Sequence, residues 1–315
     1  MSKPSDAPTQ TAQPSEGLSL VSTKPEIDPL NSISVVVTHY KTPEQLATCL
    51  HSLKAIGGVS EVIVCDSEAE EVANLAVQRS GMEVSYRPFS DNVGFARLVN
   101  AGIADSQSEY VLVINADVLV NRDGLEKLLE TLSRSLDIGI AVPRLLYPNG
   151  DFQSSVFRFY RPMTLLYRRT ILGLLPPGQR ELSRFEEPSR RAATSTSEMD
   201  VDWALGAAML VRRKAITEVG AMDARYFLYF EDVDWCLRMW KKEWRVVFSP
   251  AATFVHNHGR ASRKHGVFGL VSNPLLRTHL RSAALFFRSH GLKRYVFAQP
   301  SPTLDISQDE QRADR

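Results

Sequence analysis

The sequence predicts an α/β protein built on a mainly parallel sheet, and three observations carry that prediction. Short runs of β-branched and aliphatic residues recur at 33–38, 59–65 and 110–114 without polar alternation, as strands covered on both faces require. Helical patterns separate these runs, the alternation of a βαβ chain. The polar residues that follow them, Thr38-His39-Tyr40, Asp66 and Asn115-x-Asp117, fall at strand carboxyl ends, where ligands bind in open α/β sheets.

In chain order, 33–38 is the first buried strand, and Pro43 suits the first turn of the next helix, with Thr42 as its cap. Leu46, Leu50 and Leu53 form that helix's apolar stripe, and Gly57-Gly58 ends it. A second strand over 59–65 runs to Asp66, a helix spans 68–80, and a shorter strand spans 82–86. Asn92-Val93-Gly94 opens a helix to about Asp105, before the strand at 110–114. Alternate residues of an extended chain share a side, so Asn115 and Asp117 can converge on one ligand. A helix over 122–136 and a strand over 138–142, ending at Pro143, follow.

From 144 to 199 the periodicity degrades. Pro176-Pro177-Gly178 looks like a break, and Arg158, Arg161, Arg168, Arg169, Arg180, Arg184, Arg190 and Arg191 make the stretch basic. It reads either as a solvated, partly mobile insertion or as a flap that meets an anionic acceptor or diphosphate. Strand character returns over 201–211, where Gly206 marks a close approach of ligand or backbone. Glu231, Asp232 and Asp234 then open a helix behind a largely aromatic stretch at 226–230. Acids there complement a helix dipole, and an aromatic wall would raise a carboxylate toward a useful general base. A last strand over 244–248 and Pro250 precede His256-Asn257-His258, two imidazoles spaced to ligate a metal if Asp117 is near. An amphipathic helix over 273–289 places Leu276, Leu280, Ala283, Ala284 and Phe287 on one face, for core packing or membrane-surface contact.

Composition narrows the classes. With 43% hydrophobic and 23% charged residues in 315, the chain reads as a soluble globular protein, and a net charge of +1 gives no reason to expect a nucleic-acid partner. Cys49, Cys65 and Cys236 lack metal or disulfide spacing, which fits a reducing cytoplasm. No run reaches the ~20 apolar residues needed to span a bilayer. The polar segments at 1–31 and 300–315 read as disordered tails. Neither G-x-G-x-x-G nor G-x-x-x-x-G-K-[ST] is present, so a nucleotide would be held through side chains and a metal such as Mg2+ or Mn2+.

Taken together, residues 32–263 resemble the family 2 glycosyltransferases of GT-A fold, especially their bacterial rhamnosyltransferase-like branch. The resemblance rests on Ser34-Val35-Val36-Val37-Thr38-His39-Tyr40, Asn92-x-Gly94-Phe95-Ala96-x-x-x-Asn100 and Asn115-x-Asp117. It continues through Trp203-x-x-Gly206-Ala207 with Arg212-Arg213, Tyr229-Phe230-Glu231-Asp232-Val233-Asp234 and, more loosely, His256-x-His258 with Ser262. It implies a nucleotide-sugar half at 32–143, an acceptor half at 144–263 and a helical extension at 264–299.

The resemblance also implies roles. Asp117 would bind the divalent metal, with His256 or His258 as a further ligand and Asn115 in place of the first Asp of D-x-D. Tyr40 and Asp66 would hold base and ribose beside Thr38, with Asn92, Gly94 and Arg97 near the sugar and phosphates. Trp203, Gly206 and Glu231 would meet the acceptor, and Asp232 would be the general base of an inverting single displacement. The implied partners are a nucleotide-diphosphate sugar, with dTDP-rhamnose as one candidate donor, and a glycan or lipid-linked saccharide in surface glycan assembly. The implied location is the cytoplasm, with peripheral contact at the inner face of the membrane. One departure stands out: where relatives place an Asn-rich turn after the Asp66 position, this chain has Ser67-Glu68-Ala69-Glu70-Glu71. Processive synthases carry Gln-x-x-Arg-Trp and membrane helices, and neither is found here. The competing readings are a sugar nucleotidyltransferase, which would need a Gly-rich first loop, and a non-catalytic glycan-binding protein, which would be free to lose Asp117, Asp232 and His256.

Overall fold

A computed structural model describes residues 28–257, 274–292, 295 and 297. The amino-terminal half builds β1 (Ile33–His39), α1 (Pro43–Ile56), β2 (Glu61–Ser67), α2 (Glu71–Arg79), β3 (Ser85–Phe89), α3 (Phe95–Asp105) and β4 (Tyr110–Asn115). β5 (Val118–Leu119), α4 (Arg122–Arg134), β6 (Ile138–Leu146), β7 (Val156–Phe157), α5 (Pro162–Arg169) and α6 (Pro176–Thr194) follow. The chain continues through β8 (Met199–Asp200), β9 (Trp203–Ala204), β10 (Ala208–Arg212), α7 (Arg213–Val219), α8 (Glu231–Lys241), β11 (Arg245–His256) and α9 (Pro274–His290).

Among the described residues the main sheet runs β3-β2-β1-β4-β10-β6-β11-β5, with β8 paired to β11 and a separate β7-β9 ribbon. β3, β2, β1 and β4 are mutually parallel, as is the β6–β11 pair. β10 enters antiparallel between β4 and β6. That reversal decides where the site forms. Ala208 pairs with Ile114 at the carboxyl end of β4, so the 203–207 segment is delivered to the edge that holds Asn115.

Strand pleating divides the core in two. Val35, Val37, Leu112 and Ile114 face α1, α2 and α4, whereas Val36, Val111 and Val113 face α3 and the aromatic cluster around Trp203 and Phe230. Burial on both faces explains why these strands read as unbroken apolar runs. The adjacent arginines Arg212 and Arg213 tie the layers together. Buried Arg212 donates to Leu132 and Ile138 carbonyls, and Arg213 donates to those of Ile103 and Ser108, satisfying chain ends of α4 and α3.

Several expectations are corrected. The stretch 144–199 is ordered: Pro176 and Pro177 begin α6 instead of breaking the chain, because a proline at the first helical turn loses no hydrogen bond. Phe185 and Ala192 anchor that helix in the core. Order begins before residue 32, since Asp28 caps a 3-10 turn over Pro29–Ser32 and pairs with Arg122 at 2.8 Å. Thr42 precedes α1 without a side-chain cap bond, and its backbone N–H donates to His39 Nε2 instead. The segment 201–211 is β9 and β10 joined by a turn at Gly206, not one strand. β11 passes through Pro250 across an irregular register between Ser249 and Thr253, so His256 ends a strand instead of following one. The helix α9 buries Leu276, His279, Ser282, Ala283 and Phe286, whereas the predicted face-mates Leu280 and Ala284 are exposed. A His and a Ser carry part of the buried stripe, which hydropathy alone cannot see. His258 and Ser262, like 1–27 and 300–315, lie outside the described residues.

Candidate functional site

Three strand ends meet at one edge. Asn115 ends β4, its backbone N–H donating to the Ala207 carbonyl at 3.0 Å, and Thr38 at the end of β1 donates from Oγ1 to Asn115 Oδ1 at 3.2 Å. Ala116 N–H donates to the Thr38 carbonyl at 3.0 Å and Asn257 N–H to the Asp117 carbonyl at 2.8 Å. Backbone bonds thus fix Asn115, Asp117 and the end of β11 relative to one another.

Asp117 Oδ1 lies 3.2 Å from His256 Nε2. The other ring nitrogen of His256, Nδ1, is 2.9 Å from the buried Gln153 Oε1 and donates to it, since an amide oxygen only accepts. Nε2 is therefore the nitrogen aimed at Asp117. Adjacent ligand atoms on an octahedral ion with bonds of about 2.1 Å stand about 3 Å apart, so the pair fits two neighbouring positions on one divalent cation. The Gln153 contact is the outer support that metal-binding histidines ordinarily have. No group of three or more His, Cys, Asp or Glu gathers among the described residues. An Asp–His pair would leave room on such an ion for water and phosphate oxygens, as hard cations prefer.

Beyond Gly206, Glu231 and Asp232 open α8 at the floor of a 390 Å³ cavity. Tyr160, Trp203, Tyr229 and Phe230 give it aromatic walls, while Arg168 and Arg169 stand in its lining beside His279. Asp232 Oδ2 accepts from Gly206 N–H at 3.1 Å and Oδ1 from Val233 N–H at 2.8 Å. Burial pushes this carboxyl up to about 6, although those backbone donors favour its charged form. Burial, and then the neighbouring Asp232 charge, raise Glu231 well above the usual carboxylate range. Both carboxyls are thus pushed toward their protonated forms, and their shared burial disfavours ionising the two together. Burial also lowers His279 to about 4, with Arg169 and Arg168 adding to the shift, so that imidazole is neutral at pH 7.

Both residues before the acids have positive φ, Tyr229 at 67° and Phe230 at 69°. Left-handed backbone in non-glycine residues costs energy and clusters at functional sites. Tight packing holds it in place. Gly94, at φ 82°, lets α3 come so close that a Cβ there would lie 2.3 Å from the Phe227 carbonyl, and that carbonyl accepts Phe95 N–H at 3.0 Å. A Cβ on Gly206 would meet the Phe95 ring at 2.9 Å.

The other expected residues divide. Tyr40 is exposed just after β1, and Arg97 is exposed on α3. Asn92 accepts from Gly94 N–H and Ser67 Oγ, shaping the loop before α3. Trp203 lines the cavity, but its indole N–H is taken by the Arg158 carbonyl at 2.9 Å and its face stacks on Phe157. Asp66 is turned inward: it is fully buried, and it meets His39 Nδ1 at 2.7 Å, Tyr86 hydroxyl at 2.5 Å and Glu70 N–H at 3.0 Å. In this arrangement its carboxylate braces the ends of β1, β2 and β3. The turn after it places Glu68 at φ 78° and Ala69 at φ 45°, the left-handed region that non-glycine residues seldom adopt.

Sequence reasoning missed Gln153, Tyr160 and His279. Gln153 carries no motif and reaches His256 across 103 residues. Tyr160 and His279 join the cavity only through the packing of 157–169 and α9 around α8.

A family model described as "Glycosyltransferase like family 2" matches residues 29–265. The N-acetylglucosaminyl-diphospho-decaprenol L-rhamnosyltransferase of Mycobacterium tuberculosis is 29% identical over 243 residues, 73% of this chain and 77% of that protein. The low-salt glycan biosynthesis hexosyltransferase Agl10 of Haloferax volcanii is 26% identical over 234 residues, 72% of this chain and 68% of its own length. Among solved structures, GalNAc-T7 with UDP, GalNAc and Mn2+ superposes at a TM-score of 0.57 and 14% identity, covering 82% of this chain and 49% of that longer one. The mannosyltransferase PcManGT of Pyrobaculum calidifontis, with GDP-Man and Mn2+, gives 0.51 and 14% over 84% of this chain and 81% of that one. These likenesses show a shared GT-A fold.

Proposed function

The chain belongs to glycosyltransferase family 2, and from that premise we propose that it is a metal-dependent, inverting transferase moving one sugar from a nucleotide diphosphate to an acceptor hydroxyl. One observation carries the proposal. Consecutive residues of a single segment join the two halves of the site: Gly206 N–H holds Asp232, and the Ala207 carbonyl holds Asn115 of Asn115-x-Asp117. A base and a diphosphate site are thereby fixed by the same few atoms of backbone, as orientation-dependent displacement requires.

Asp232 takes the acceptor hydroxyl proton as that oxygen attacks the anomeric carbon and the nucleotide diphosphate leaves. One base suffices, because a single displacement inverts the centre without an enzyme nucleophile. Protonated Glu231 donates a hydrogen bond to the acceptor instead of competing for its proton. Asp117 and His256 would hold a divalent cation, Mg2+ or Mn2+, which supplies charge neutralisation to the departing diphosphate. Thr38, Tyr40, Asn92 and Arg97 line the donor approach, with Asp66 bracing it from beneath. The aromatic walls offer faces for a saccharide, and Arg168 and Arg169 offer charge to an anionic acceptor. A lipid-diphosphate-linked saccharide matches both features, and the similarity to a rhamnosyltransferase acting on N-acetylglucosaminyl-diphospho-decaprenol supports that choice, with dTDP-rhamnose as the first donor to try.

The test is calorimetric titration of dTDP, UDP and GDP, each with and without Mn2+, on wild type and Asp117→Ala. Metal-dependent binding of one nucleotide, lost in the variant, is expected. If no nucleotide binds under any condition, the catalytic reading fails and a non-catalytic glycan-binding role replaces it.

A further inference from the structure

Residues 162–180 contain Arg168, Arg169 and Arg180 and no acidic residue. They form α5, a 3-10 turn over Ile171–Leu174 and the start of α6. On this short stretch Met163, Leu166, Ile171, Leu172, Leu174 and Leu175 are all exposed, the last two by 75% and 52%. Elsewhere among the described residues, exposed large hydrophobics stand singly or in pairs along the chain. Single exposed leucines are ordinary, whereas a contiguous apolar cluster marks an interaction surface.

The turn is held in shape, not left loose. A Cβ on Gly173 would lie 2.3 Å from the Tyr167 carbonyl, and Gly178 packs as closely on the Leu172 carbonyl. Thr164 and Arg161 both bond to Glu181, tying α5 to α6, and Arg184 bonds to the same carboxylate. Three polar contacts thus hold an apolar tip out toward its surroundings.

We propose that this tip is a bilayer-docking surface, inserting Ile171, Leu172, Leu174 and Leu175 among acyl chains at an anionic membrane face, with Arg168, Arg169 and Arg180 at headgroup level. Charge selects this occupant: a basic rim without acids complements anionic lipid, and long cationic side chains beside an apolar wedge are the pattern of interfacial segments. Continuity with the cavity adds to it. Arg168 and Arg169 lie on the same segment and also line the cavity above Glu231 and Asp232, so docking would bring the acceptor cavity to the membrane surface. The contact surface is then α5 and its turn, in place of the α9 face considered from sequence. The inference goes beyond the proposed reaction and is tested without donor or acceptor, so either can fail alone.

The experiment is vesicle co-sedimentation of the full chain, using phosphatidylglycerol mixed with phosphatidylcholine and phosphatidylcholine alone, at low and high salt. The double variant Ile171→Ser/Leu174→Ser changes two side chains that are 69% and 75% exposed, so folding is preserved, and Leu280→Ser on α9 is the control. Wild type should sediment with the anionic vesicles and be released by salt, the double variant should bind about tenfold or more weakly, and the control should match wild type. Equal binding by the double variant, or no binding by wild type to either vesicle, overturns the proposal. So does a wild-type dimer that the double variant converts to monomer without any vesicle binding, which would make the tip a contact between copies.

Discussion

Replacing Asp232 with Asn should trade activity for stability, and the structure sets both magnitudes. Burial raises the carboxyl from its ordinary 3.8 to about 6. A raised carboxyl pKa means the folded protein prefers the protonated form. The associated stability is fully present below about pH 4 and is lost as pH rises through about 6, and the gap between the two values corresponds to roughly 3 kcal/mol at pH 8. The amide introduced by the substitution cannot ionise, so that loss disappears. It can, however, accept properly from only one of the two N–H groups, Gly206 and Val233, that the carboxylate serves. A buried donor left without its acceptor costs about 1–2 kcal/mol. Asp232→Asn should therefore be about 1–2 kcal/mol more stable than wild type near pH 8 and about 1–2 kcal/mol less stable near pH 3.5, by denaturant unfolding at both. Its turnover should fall about 10²–10⁴-fold with a smaller change in KM, the size expected for losing a general base. In wild type the rate should climb as pH passes about 6 and then level. Glu231→Gln should keep a rising profile, because burial and the Asp232 charge already favour the neutral form of Glu231. Full activity in Asp232→Asn, or loss of the pH dependence only in Glu231→Gln, would refute the assignment and move the base to Glu231.

Further expectations rest on other contacts. Gln153→Ala leaves the buried His256 Nδ1–H without its acceptor and should weaken Mn2+-dependent nucleotide binding about 10–100-fold, read by calorimetry, beside a loss of about 1–2 kcal/mol in metal-free unfolding. Gly94→Ala sets a Cβ against the Phe227 carbonyl at positive φ, so a destabilisation above about 2 kcal/mol is expected from urea unfolding. Ala69→Gly relieves a left-handed alanine in an exposed turn and should raise stability by up to about 1 kcal/mol, after the entropy of the added glycine is subtracted. An unchanged or lower melting temperature in that variant would mean the turn is not strained.

The unbroken apolar runs of β1, β2 and β4 are legible in sequence because strands buried on both faces must be apolar throughout. The polar residues ending them follow from the same logic, and the acids of α8 announce themselves by their aromatic approach. Local chemistry sufficed there. It fell short where a residue's meaning depends on what lies opposite. Asp66 looks like a ligand-binding strand end, yet His39, Tyr86 and Glu70 converge on it from within. Leu280 fits an apolar stripe that α9 in fact builds with His279 and Ser282, because Ser282 finds the Leu228 carbonyl and His279 packs on Phe230. Gln153 has no signature at all.

Periodicity and residue chemistry are local properties, and they were enough for the fold class and for the sheet edge that Thr38, Asn115 and Asp117 share. The antiparallel entry of β10 between β4 and β6, which carries Gly206 and Ala207 to Asp232 and Asn115, was settled by packing. So was the closure of 158–194 over α8 as an aromatic and basic wall. Both depend on contacts between segments far apart in the chain, whose free energy exists only once the segments have packed.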